Sequence, residues 1–364
     1  MAFKDIVGQE RAIAALTSAL KSGQLHHGYL FGGPDGVGKE LAARTLAQAA
    51  NCEQNDGDAC GQCGPCRRIA TRNHADVLLL LPEADQVARG WAGRADFEAT
   101  PSREIKVAQV RWLSDRLAYK ALEARRKLAL ILRAEAMNAQ AQNALLKTLE
   151  EPPRDTTLVL VSAAPHALLP TIRSRCLMLA FTPLPLDFVA ERVMREKKVD
   201  RATAHLCATL AGGSLGAALA LDLDSLSRRH ELLERLESLS AGDARAALAF
   251  AADFAPDRAA AEAHLGLVSA WYRDVAALAS GGNEQMLVNS DLLDLARRSG
   301  ATHGALEALR RIRLCETAKA ALNGNASPRL QMEQAALRFV FPELGTWRYQ
   351  TKTPYRHIYD FYCR

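Results

Sequence analysis

Short apolar runs recur along the first half of the chain, and stretches with helical spacing stand between them. Tyr29 to Phe31, Val77 to Leu81, Leu128 to Leu132, Thr157 to Ser162 and Leu177 to Phe181 are almost wholly apolar. That is the pattern of strands buried on both faces of a parallel sheet. Residues 5–21 place Ile13, Leu16 and Leu20 at helical spacing, with a stop at Ser22-Gly23. Residues 41–50, 105–122 and 139–150 also follow a helical period, the last burying Ala141, Ala144, Leu145, Thr148 and Leu149 before Pro152-Pro153 ends it. Pro170 to Arg175 is a short helical turn, and residues 83–103 are an excursion to which no element is assigned.

Alternating strands and helices predict one α/β domain over residues 1–181. Pro183-Leu184-Pro185 marks a linker, and 182–221 holds three short helical patterns parted by Val199-Asp200 and Gly212-Gly213. From 222 to 341 everything has a helical period: 225–238, 243–253, 257–280, 288–299, 302–322 and 328–340. The remaining 342–364 is an aromatic tail (Trp347, Tyr349, Tyr355, Tyr359). The expected class is therefore α/β followed by all-α.

Composition narrows this little further. The 364 residues are 49% hydrophobic but only 6% aromatic, a balance rich in helix-forming Ala and Leu. The 46 basic and 41 acidic residues are interspersed, so a net charge of +5 permits nucleic-acid contact without arguing for it. There is no apolar signal core and no run long enough for a membrane span, so the expectation is a cytoplasmic protein without membrane contact.

Gly33-Pro34-Asp35-Gly36-Val37-Gly38-Lys39 follows the first apolar run and opens a helix. Glycines turn backbone N–H groups onto an anion, the helix N-terminus adds its dipole, and Lys39 adds a charge. Gly33, Gly36, Gly38 and Lys39 are thus the candidate nucleotide-binding residues. The next position should be Ser or Thr to ligate magnesium; it is Glu40. The strand that should end in acidic residues ends in Leu132-Arg133, with Glu135 three residues late and expected to be a solvated carboxylate. Passive binding of ATP or ADP is compatible with these residues, whereas three separate departures argue against hydrolysis.

Cys52, Cys60, Cys63 and Cys66 lie within fifteen residues, with Gly61 and Gly64-Pro65 supplying turns. Four thiolates at this spacing can surround a tetrahedral zinc ion, which with no open position would be structural. Reduced cysteines and an iron–sulfur centre are the alternatives. Ser174-Arg175-Cys176 closes the short helical turn. Two arginines there suit a solvated face, yet an arginine offered to a neighbouring subunit can neutralise charge on a transferring phosphoryl group.

In order, Val7-Gly8-Gln9, the phosphate loop, the four cysteines, Asn143 to Pro153 and Ser174-Arg175-Cys176 resemble bacterial clamp-loader AAA+ subunits. Asn323-x-Asn325-x-x-Pro328-Arg329-Leu330, with Glu333, is similar to that group's C-terminal signature. The resemblance implies a RecA-like AAA+ domain with a zinc module, a three-helix lid and a helical collar that oligomerises. It also implies gamma/tau ATPase and delta subunits as partners, with the sliding clamp and primer–template DNA reached through the complex. The sensor arginine expected after Gly213-Ser214-Leu215 is replaced by Gly216, and the polar sensor after the Thr157 strand is reduced to Ser162-Ala163. With Glu40, Leu132 and Arg133 these departures imply a non-hydrolysing member that offers Arg175 in trans; the alternative is an ATP-hydrolysing gamma/tau-type subunit.

Overall fold

A computed structural model describes residues 2–342, leaving aside 55, 98, 224–225, 227, 285–286 and 324–325. Residues 343–364, with most of the aromatic tail, and Asn325 of the C-terminal signature lie outside the described residues. The chain separates into two compact units, Met1–Ala220 and Leu221–Arg364.

In the first unit the five apolar runs become β1 (Gly28–Gly32), β2 (Val77–Leu80), β3 (Lys127–Leu132), β4 (Thr156–Ser162) and β5 (Leu177–Ala180). They form one sheet in the order β2-β3-β4-β1-β5, every pair parallel. Period-two side-chain alternation divides the core. Leu128, Leu130, Val159 and Val161 pack on one face with Leu16 and Leu46. Ala129, Ile131, Leu158 and Leu160 pack on the other with Leu113 and Leu145. Burial on both faces explains why these strands read as continuous apolar runs.

The covering helices are α1 (Glu10–Lys21), α2 (Lys39–Ala50), α3 (Gly64–Ala70), α4 (Glu83–Ala88), α5 (Val107–Ala118), α6 (Ala139–Glu150) and α7 (Pro170–Arg173). Three departures from the expected elements have local causes. The first helix begins at Glu10 because Gly8 sits at φ +75° and Gln9 is committed elsewhere. The Gln9 amide donates to the carbonyls of Val37 (3.3 Å) and Thr182 (2.7 Å) and accepts from Thr182 N–H (3.0 Å). The 105–122 helix ends at Ala118, where Lys127 Nζ donates to the Leu117 and Tyr119 carbonyls. The 83–103 excursion, assigned no element, contains α4 and a 3-10 turn at Arg94–Asp96. The unit closes with α8 (Leu186–Lys197), α9 (Arg201–Leu210) and α10 (Leu215–Ala220).

The second unit is helical: Arg229–Glu237, Ala244–Phe254, Arg258–Ala279, Leu293–Asn323 and Pro328–Val340, joined by short connections. The 293–323 run is broken at Gly304 (φ +69°, ψ 170°), so the expected break near residue 300 falls a few residues later. Trp271 and Tyr272 are wholly buried, and each meets a partner. Trp271 Nε1 donates to Glu237 (2.8 Å), and Arg311 donates to the Tyr272 hydroxyl (2.5 Å). Among the described residues no helix is long and apolar enough to cross a membrane.

Candidate functional site

The phosphate loop runs from the end of β1 into α2, with Gly33, Gly36 and Gly38 at φ +151°, +72° and +103°. Those angles need glycine. Close approach is a second reason at Gly36. A Cβ there would stand 2.5 Å from Ser214 Oγ and 2.8 Å from Gly216 N. The Ser214 hydroxyl donates to the Asp35 carbonyl (2.6 Å), and Gly216 N–H donates to the Gly36 carbonyl (3.1 Å). The start of α10 therefore lies backbone to backbone on the loop, where the resemblance predicts a sensor arginine. Any side chain at 216 would enter this contact.

Lys39 is 4% exposed and turned inward. Its Nζ donates to the carbonyls of Gly33 (2.5 Å) and Pro34, and lies 3.5 Å from Asp35. Burial lowers its pKa, against the opposing pull of the Asp35 and Glu135 carboxylates. Beside the loop a cavity of ≈590 Å³ is lined by Lys39, Glu40, Arg89, Arg133, Glu135 and Gly216, among others. Glu135 departs from the solvated carboxylate expected: it is half-buried in this lining, and its Oε2 is buried with no hydrogen-bond partner among the described residues.

The two positions where a hydrolase keeps magnesium and water in place are each ion-paired to the excursion. Glu40 receives Arg89 Nη1 on both oxygens (3.0 and 2.8 Å). Arg133, in the left-handed region at φ +52°, donates to both oxygens of Asp85 (3.0 and 2.9 Å). Asp85 lies within α4 and Arg89 caps it. Arg89 also lies against the Trp91 ring, 5.0 Å from its centroid, as does Arg72 at 4.0 Å. Sequence reasoning missed Asp85 and Arg89; their partners are 48 and 49 residues away, and the only local signal is a mixed-charge segment.

The four predicted cysteines come together, with all four Sγ atoms within 4.8 Å of one another and Cys60 and Cys66 4.0 Å apart. Bonds of about 2.3 Å to a tetrahedral zinc put sulfurs about 3.8 Å apart, so the set fits one such ion and is too tight for a cluster of several irons. Cys60 Sγ accepts N–H bonds from Gln62 (3.4 Å) and Cys63 (3.3 Å), which pull its pKa down to about 6. Burial raises that of Cys66. Pro65 at the start of α3 turns Cys66 inward, and Gln48 ties the module to α2 by donating to the Cys66 carbonyl (2.7 Å). This four-cysteine cluster can hold a metal such as zinc.

Ser174, Arg175 and Cys176 connect α7 to β5, and each does a different thing. The Ser174 hydroxyl donates to the Thr171 carbonyl (3.1 Å). Cys176 is buried closely against Gly28: a Cβ there would meet Cys176 Sγ at 3.3 Å. Burial pushes the Cys176 thiol up to about 12, so it is an anchor and not a nucleophile. The Arg175 side chain is 37% exposed; it donates to the Thr171 carbonyl (3.1 Å) and pairs with Glu150 at 2.8 Å. Arg175 lies at the surface, apart from the phosphate loop of its own chain in the contacts it makes.

A family model described as DNA polymerase III, delta subunit, matches residues 8–185. DNA polymerase III subunit delta' of Bacillus subtilis is 29% identical over 336 residues, covering 90% of this chain and 95% of that one. Subunit delta' of Pseudomonas aeruginosa is 40% identical over 173 residues, 47% of this chain and 48% of that protein. Subunit tau of Escherichia coli is 35% identical over 225 residues, 60% of this chain and only 32% of the longer tau. The match along nearly the whole of both chains is thus to delta', and over residues 8–185 the chain is similar to a DNA polymerase III clamp-loader subunit.

Proposed function

We propose that this chain is a non-hydrolysing, delta'-type subunit of a bacterial clamp loader. It assembles with gamma/tau ATPase subunits and delta, in the cytoplasm, to place the sliding clamp on primed DNA. Residues 1–181 serve as the AAA+ domain, 182–221 as its lid and 222–341 as the oligomerising collar. The four cysteines hold a structural zinc that fixes the 52–66 excursion to α2.

One observation carries the reading. The positions for metal and attacking water hold Glu40 and Arg133, paired to Arg89 and Asp85, while the Arg175 side chain is partly exposed and paired to Glu150, away from those residues. In phosphoryl transfer a carboxylate at the first position repels the triphosphate, and an arginine at the second cannot orient water. A partly exposed arginine beside a buried anchor suits service to a neighbour's site, where such a group is worth about 10³–10⁵ in rate. Within the complex ATP bound to gamma/tau supplies the energy, and this chain completes one such site with Arg175.

The test is ATP turnover by the purified chain and by mixtures with gamma/tau and delta. The chain alone should give none, and its addition to clamp, primed DNA, gamma/tau and delta should raise turnover. Turnover by the isolated chain, lost in Lys39→Ala, would instead establish the gamma/tau-type alternative.

A further inference from the structure

Arg175 has a long, flexible side chain, and an arginine left free at a surface samples many rotamers before it meets a neighbour. Fixing one costs side-chain entropy. Here three contacts settle its place. The buried Cys176 fixes the backbone next to it, the Thr171 carbonyl takes one Nη1–H (3.1 Å), and Glu150 Oε1 forms an ion pair with Nη2 at 2.8 Å. Glu150 is the last residue of α6, whose C-terminal dipole also favours a cation. Its side chain is 49% exposed, so the pair contributes little to stability as it stands.

We infer that Glu150 is a positioning residue for the trans-acting arginine: it holds the Arg175 guanidinium in one direction before the neighbouring subunit's nucleotide arrives. The inference rests on the trans-acting reading of Arg175. The guanidinium carries five N–H donors in a fixed fork. Thr171 takes one of them and Glu150 pairs with the guanidinium from the side of this chain, leaving the remaining donors for phosphate oxygens. When a neighbour covers the pair, water is removed and the attraction between Glu150 and Arg175 strengthens. The orientation is therefore firmest in the assembled state, where it is used. A carboxylate serving only as a surface ion-pair partner would have no such effect on turnover.

The test is a double-mutant cycle in the full complex, reading clamp- and DNA-stimulated ATP turnover, with assembly and thermal unfolding as controls. Glu150→Ala should lower the maximal rate roughly 3- to 10-fold with KM for ATP unchanged. Glu150→Gln, which keeps an acceptor, should recover most of that loss. In an Arg175→Ala background, Glu150→Ala should change the residual rate no further, because its effect passes through Arg175. Multiplying effects, a native rate in Glu150→Ala, or a faster one would each overturn the inference. If Arg175→Ala itself keeps the native rate, the trans-acting reading falls first. If Arg175→Ala slows turnover and Glu150→Ala does not, the positioning role alone is wrong.

Discussion

Replacing Gly216 by alanine tests the contact between α10 and the phosphate loop, because two effects oppose each other with known signs. On an exposed helix, glycine to alanine raises stability by up to about 1 kcal/mol. At Gly216 the new Cβ would stand 2.9 Å from Gly36 Cα. Both sides of that contact are backbone, so no flexible side-chain end can swing away and the loop and helix must part. Parting weakens the Gly216 N–H to Gly36 carbonyl bond (3.1 Å) and the Ser214 hydroxyl to Asp35 carbonyl bond (2.6 Å). Such bonds are worth about 1 kcal/mol each, and overpacking typically costs about 1–3 kcal/mol. After crediting the helix preference, a net loss of about 1–2 kcal/mol follows. The assay is urea unfolding of the full chain, followed by hydrogen exchange of the α2 amides so that the first unit is read alone. With a slope of about 2 kcal/mol/M, the midpoint should fall by roughly 0.5–1 M. Gly266→Ala is the control: that glycine lies inside a helix with nothing within 4 Å of an added Cβ, and its replacement should stabilise the second unit. If Gly216→Ala also stabilises, the packed contact does not exist as described.

Three further outcomes follow. Elemental analysis should find one zinc per chain, and Cys63→Ser should lower metal content and thermal stability together; a metal-free native chain of undiminished stability would count against the site. Asp76 is 7% exposed and accepts N–H bonds from Leu122, Glu123 and Ala124 at 2.8–3.0 Å. Burial raises its pKa, but these bonds outweigh it and hold the value below the usual 3.8. A depressed folded-state pKa means its stabilisation is complete above about pH 4 and is lost as pH falls through the folded value. Asp76→Asn should therefore flatten the acid limb of a stability–pH curve, and an unchanged limb would refute that. A double-mutant cycle on Arg89 and Glu40 should give a coupling of about 0.3–1 kcal/mol that shrinks in 1 M salt; zero coupling at low salt would show that the pair is not formed.

Sequence made the sheet legible because parallel strands buried on both faces leave unbroken apolar runs, as at Leu128 to Leu132. It also disclosed α6 to its last residue, since Asn138 caps one end by accepting Ala141 N–H (2.9 Å) and Pro152 follows the other. The cysteine cluster was visible because its ligands are close in the chain. What stayed hidden depends on distant pairing. Gln9 was one residue of a family motif, and its tie to Thr182 spans 173 positions. The excursion at 83–103 gave no apolar period, and α4 has no buried residue to produce one. Its partners Glu40 and Arg133 could be recognised as departures from a working ATPase, but not as halves of ion pairs. Gly216 was likewise read as a missing arginine, whereas the fold makes it a place with room for no side chain.

The central claim is that this chain acts on ATP only through Arg175 at another subunit's site. The most direct measurement is clamp- and DNA-stimulated ATP hydrolysis by gamma/tau and delta with no addition, with the native chain, and with Arg175→Ala. The native chain should restore turnover, and the variant should assemble equally well while the rate falls by at least about tenfold at the site it serves. A variant that assembles and matches the native rate would contradict the claim and leave this subunit a scaffold.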